Sequence, residues 1–153
     1  MARALAGGLV SAGLPADQMA GADVSSDQRD GFEAALGIRT VDDNGALLGE
    51  SDAVVLCVKP GVVVGVLEGL DPGADRQRPL WISIAAGIRI ATLEAVLPPG
   101  ARIIRTMPNT PALVGAGASV LCPTRAGLAA DPALAAALVA EVGTAWPAPD
   151  ASL

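Results

Sequence analysis

Histidine and tyrosine do not occur in this chain of 153 residues, and only Phe32, Trp81 and Trp146 are aromatic. Those gaps remove whole chemistries. No imidazole is available to ligate a metal or to activate a serine, and no phenol to act as an acid. No metal site is expected. Positive charge is scarce as well: ten Lys and Arg stand against sixteen Asp and Glu, for a net charge of −6, and Lys59 is the one lysine. Nucleic acid, which needs clustered cations to neutralise its phosphates, is thereby excluded as a partner. Cys57 and Cys122 each sit inside an apolar run and read as small buried hydrophobes rather than as a disulfide or a nucleophile. No secretory leader is recognisable, and no apolar stretch reaches the ~18 residues of a membrane span. The expectation is a soluble cytoplasmic protein with no membrane partner.

What the chain does have is aliphatic bulk. Apolar residues make up 52% of it, so the core must be built from Ala, Val, Leu and Ile. The pattern alternates between helical and extended pieces. Residues 2–12 read as a small-residue helix, and 19–22 as a short apolar run ending at Asp23. Ser26 and Asp27 are positioned to cap a helix over 28–36 that Gly37 closes. An extended piece at 39–41 and a short helix opened by Asp42 and Asp43 follow. AVVLCV (53–58) and LWISIA (80–85) lack polar alternation, which marks strands buried on both faces, as in a parallel sheet. Residues 61–70 and 90–97 read as helices, 101–107 as a third buried strand and 117–122 as a fourth. Asp131 would cap a helix over 131–142, with Pro132 in its first turn, and the last residues look frayed. The implied class is α/β, with right-handed crossovers.

In open α/β sheets ligands bind beyond the carboxyl ends of the strands. Asp23, Lys59-Pro60, Ala85–Gly87 and Met107–Pro111 all fall there. An acid at the end of an early strand can accept a hydrogen bond from a ribose 2′-hydroxyl, or can simply be a turn residue. Lys59 is either a residue beside a cofactor or a solvated strand-end charge. Ala85, Ala86 and Gly87 would let a flat ring or a phosphate approach the backbone, or they form a tight turn. In Met107-Pro108-Asn109-Thr110-Pro111, each proline keeps the residue before it out of the helical region. Asn109 and Thr110 are thus presented on a stiffened loop, as a ligand that must be oriented would require.

VLCVKP, ISIAAGI and RIIRTMPNTPALVGAGASVL, in this order, resemble pyrroline-5-carboxylate reductase along about Met1–Trp146. The resemblance implies a Rossmann-like, mostly parallel sheet with flanking helices. It also implies NADP or NAD as cofactor, and reduction of the small-molecule substrate 1-pyrroline-5-carboxylate to L-proline. Carried over by match, Cys57, Val58, Lys59 and Pro60 would lie along the cofactor's nicotinamide end, with Ala85 and Ala86 beside the dinucleotide. Asn44 would contact the adenosine part, and Asp23 would sit near the ribose 2′ position. Met107, Pro108 and Asn109 would close over the nicotinamide, with Asn109 and Thr110 facing the substrate.

Two departures from the family pattern accompany the match. The family's first strand and glycine-rich turn have no counterpart before the helix opening at Ala2, and Gly7 and Gly8 lie inside that helix. The family's helical dimerisation domain has no counterpart after residue 146, where 147–153 read as a tail. The expectation is therefore an incomplete NAD(P)-binding domain over 1–146. Such a chain would be inactive by itself and a homo-oligomer only in a full-length parent. A non-catalytic nucleotide-binding remnant, or another Rossmann oxidoreductase of a small substrate, remain the alternative readings.

Overall fold

The computed structural model describes residues 1–71 and 76–150, arranged as two small sheets joined by one helix. Helix α1 (Ala2–Ser11) opens the chain. Strand β1 (Ala20–Ala22), helix α2 (Ser26–Leu36) and strand β2 (Arg39–Val41) then form a parallel two-stranded sheet with its crossover. The remaining strands form a five-stranded sheet in the order β3-β4-β5-β6-β7. They are β3 (Ala53–Leu56), β4 (Leu80–Ser83), β5 (Ile103–Met107), β6 (Gly117–Pro123) and β7 (Gly143–Pro147). Helices α3 (Val63–Glu68), α4 (Ile90–Glu94) and α5 (Asp131–Ala140) cover it.

Strand alternation divides the core into two layers. Trp81 and Ile103 face one side, where Val63, Leu67, Leu93 and Leu97 of the α3 and α4 regions pack with Leu48 and Leu56. Leu80, Ile82 and Ile104 face the other side and meet Leu5 of α1 and Ala135 and Val139 of α5. All four residues of β4 are buried, as its unbroken apolar run requires. The two sheets are tied through α1. Its Leu5 enters the second core layer, and its Arg3 and Gly7 approach Gly31 and Leu36 of α2.

The structure corrects several sequence expectations. β3 is not buried on both faces, since Val55 is 39% exposed. The reason is topological: β3 pairs only with β4, and no described strand lies on its other edge. The sheet is mostly parallel, as expected, with one reversal: β6 runs antiparallel to β5, and β7 continues in that reversed direction. The cap of α2 is Ser25 rather than Ser26 or Asp27, with its Oγ accepting from Gln28 N–H. Gly37 closes that helix in the left-handed region, as expected. Asp131 is the first helical residue rather than the cap. Its buried carboxylate accepts from Leu128 N–H and pairs with Arg102, so it holds the preceding turn against β5.

β7 is absent from the sequence reading. Its approach to β6 depends on glycine at two facing positions: Gly143 has φ 149°, and a Cβ there would collide with the Gly117 backbone. Residues 147–150, read as the start of a frayed tail, are bonded to the sheet. Ala148 N–H donates to Leu121, and Asp150 accepts from Arg105. The rest of that tail, residues 151–153, lies outside the described residues.

Candidate functional site

Parallel pairing decides where the special segments emerge. Leu56 sits opposite Ser83, and Ser83 opposite Arg105, so β3, β4 and β5 end along one edge. From that edge leave, in adjacent positions, Cys57–Pro60, Ile84–Gly87 and Met107–Pro111. Val58, Lys59, Pro60, Ala86, Met107, Asn109 and Thr110 are exposed there, Pro108 is half-buried, and Ala85 anchors its loop in the core.

Cys57 marks the inner wall. Burial pushes its thiol pKa up to about 11, and the N-terminal ammonium pulls the other way. A protonated, desolvated thiol is no nucleophile, so Cys57 serves as wall rather than as chemistry.

The 107–111 loop is stiffened by more than its prolines. Asn109 Oδ1 accepts a 2.9 Å hydrogen bond from Ala118 N–H, at the point where the chain turns back into β6. A tight 3-10 turn over Thr110–Val114 fills the interval, and Ala112 plugs it into the core. The sequence presents Asn109 as a ligand-facing side chain. In the structure its carbonyl oxygen closes the loop on itself, and only Thr110 beside it carries a hydroxyl outward.

Asp23 and Asn44 belong to the other sheet. Asp23 leaves the carboxyl end of β1 and donates its N–H to Val41, so the ends of β1 and β2 lie side by side. Asn44 follows two residues after Asp42 and opens the 3-10 turn Gly45–Glu50. The structure thus gathers the predicted residues at two sets of strand ends, with β3 to β5 in one sheet and β1 to β2 in the other.

These residues fit an extended dinucleotide. The positive amino end of α1 suits a pyrophosphate, the exposed Ala86-Gly87 backbone suits a flat ring, and Asp23 offers an acceptor to a ribose hydroxyl. A separate groove of about 540 Å³ runs between α1, the end of α2 and the 112–115 turn, lined by Gly7, Gly8, Leu36, Val114 and Glu141. None of the predicted site residues borders it. Among the described residues no cluster of side chains could hold a metal ion. None of their helices is long and apolar enough to cross a membrane.

Residues 1–87 match a family described as NADP oxidoreductase coenzyme F420-dependent. Pyrroline-5-carboxylate reductase of Pseudomonas aeruginosa is 39% identical over 145 residues, which span 95% of this chain and 53% of that protein. The solved pyrroline-5-carboxylate reductase of Coxiella burnetii superposes with a TM-score of 0.91 at 32% identity, covering 96% of this chain and 54% of that one. That of Plasmodium falciparum, solved with NADP bound, superposes at 0.83 with 25% identity, covering 96% and 53%. Prephenate dehydrogenase of Aquifex aeolicus shares the fold alone, at 14% identity and a TM-score of 0.77, covering 98% and 58%. The chain spans about half the length of the curated relatives it matches.

Proposed function

The chain belongs to the NADP oxidoreductase, coenzyme F420-dependent, family, and from that membership we propose that it forms the cofactor-binding half of a pyrroline-5-carboxylate reductase. One observation carries this reading: the three segments that resemble such reductases leave one sheet edge side by side. The bound cofactor supplies the hydride, which reduces the carbon–nitrogen double bond of 1-pyrroline-5-carboxylate to give L-proline.

The chain's own residues position the cofactor. Cys57–Pro60 and Ala85–Ala86 line its nicotinamide end, and Asp23 with Asn44 holds the adenosine end. The closed 107–111 loop sets the face on which the substrate ring rests, with Thr110 offering a hydroxyl towards it. Orientation of this kind accounts for a large share of catalysis when the cofactor carries the hard chemistry. No histidine or tyrosine is present to act as proton donor. An imine that arrives already protonated on nitrogen needs none.

The same reading assigns residues 1–146 to one dinucleotide-binding unit and places it in the cytoplasm. It leaves oligomerisation to a chain as long as the relatives.

Isothermal titration with NADH and NADPH tests the cofactor half of the proposal. Spectrophotometry of NAD(P)H oxidation, in a chain extended to the relatives' length, tests the reaction. Oxidation that depends on 1-pyrroline-5-carboxylate is the expected result. Oxidation driven instead by a keto acid, or no cofactor binding, would refute it.

A further inference from the structure

Resting on the cofactor reading above, we infer that the carboxyl end of β1 selects a dinucleotide with a free ribose 2′-hydroxyl, NADH, over its 2′-phosphorylated counterpart, and that Asp23 is the selecting group. The family description and the Plasmodium relative both speak of NADP, so the inference departs from what similarity alone would suggest.

Geometry fixes the carboxylate. Asp23 is exposed, and its Oδ1 accepts a 2.9 Å hydrogen bond from Ser25 N–H. Its backbone N–H is held by Val41 at 3.2 Å. The carboxylate is therefore an oriented acceptor beyond the end of β1, in the position where an acid binds a ribose 2′-hydroxyl in folds of this type. A phosphate on that hydroxyl would bring up to two further negative charges against it.

The surroundings do not compensate. Along α2, Asp27, Asp30 and Glu33 accompany a single cation, Arg29. Arg29 is already engaged: its Nη1 donates to the Asp23 carbonyl oxygen at 2.8 Å, and its charge acts on Glu33. At the neighbouring end of β2 the chain runs into Asp42 and Asp43, and Asp43 Oδ1 accepts from Gly45 N–H. Arg39 of β2 pairs with Glu50. Besides Asp23, the first turn of α2 and the end of β2 thus carry the carboxylates of Asp27, Asp42 and Asp43, while Arg29 is turned to a backbone oxygen. A hydroxyl donor meets no such penalty.

The test measures dissociation constants of NADH and NADPH by isothermal titration on the wild-type chain and Asp23→Asn. In D23N the side-chain amide oxygen still accepts from Ser25 N–H, so the turn is kept while the charge is gone. The wild type is expected to bind NADH at least tenfold more tightly. D23N should bring the ratio below threefold, chiefly by improving NADPH. Equal or tighter NADPH binding by the wild type overturns the inference, as does a ratio that D23N leaves unmoved. Absence of binding to either cofactor overturns the cofactor reading itself, a result distinct from binding with the opposite preference.

Discussion

Asp150→Ala should destabilise the protein more than Arg105→Met, although both remove the same ion pair. Arg105 lies in the middle of the sheet with its side chain 2% exposed, and its Nη1 reaches Asp150 Oδ1 at 2.9 Å, while the Asp150 side chain is 32% exposed. Its Nε is buried with no partner among the described residues. Removing one member of a buried pair typically costs about 3–5 kcal/mol, because the other charge is left desolvated. Asp150 is a third open to water, so solvent relieves part of that cost, and about 2 kcal/mol remains for D150A. R105M acts differently. It removes the buried cation together with an orphaned N–H whose burial costs about 1–3 kcal/mol, fills similar volume, and leaves Asp150 free to turn to water. Its net effect should stay within about 1 kcal/mol of wild type. Urea denaturation followed by tryptophan fluorescence separates the two. With a slope of about 2 kcal/mol per molar, D150A should lower the midpoint by about 1 M and R105M by less than half of that. If R105M proved as damaging as D150A, the pair would be a net source of stability and the argument from desolvation would be wrong.

Three other outcomes follow from features already described. Gly143→Ala forces a Cβ into the Gly117 backbone at φ 149°, so it should cost more than about 3 kcal/mol; an unchanged melting temperature would show that the β6–β7 crossing tolerates a side chain. Cys57, with its pKa raised from 9.0 to about 11 in the fold, should alkylate at pH 8 roughly a hundredfold more slowly than in urea. Because the folded value is the higher one, the associated stability is intact below pH 9.0 and lost as pH rises towards about 11, by about 2–3 kcal/mol in all; Cys57→Ala should flatten that slope in pH-dependent melts. Glu33 has its pKa lowered by hydrogen bonds from the Thr40 side chain and backbone, so its contribution is present at neutral pH and fades as acid protonates it; Glu33→Gln should blunt the acid-side fall in melting temperature, and an identical acid profile would contradict this.

Much of this was readable in advance, and the misses share a cause. β4 was legible because it is an interior strand: LWIS has a neighbour on each side and a helix layer on each face, so its composition records its surroundings. AVVL has an equally apolar composition but lies at an edge, and nothing within those residues states how many neighbours they have. β7 escaped because Thr144 and Trp146 face outward and Pro147 ends it, so neither alternation nor β-branched enrichment stood out. The clue was Gly143, whose partner Gly117 is 26 positions away in the chain. At the site, Pro108 and Pro111 marked the loop that leaves β5. They could not announce that Asn109 spends its carbonyl on Ala118, because that bond exists only once β6 doubles back.

That reversal has a consequence for recognition. Residues 108–116 are the tip of a hairpin whose two arms are adjacent strands of the same sheet, rather than a lid swinging on a single hinge. The conformational entropy of arranging them is lost when the sheet forms, before any small molecule arrives. A ligand seated against Thr110 would meet a surface already in shape, so its association rate should be governed by diffusion and desolvation instead of by waiting for a segment to fold down.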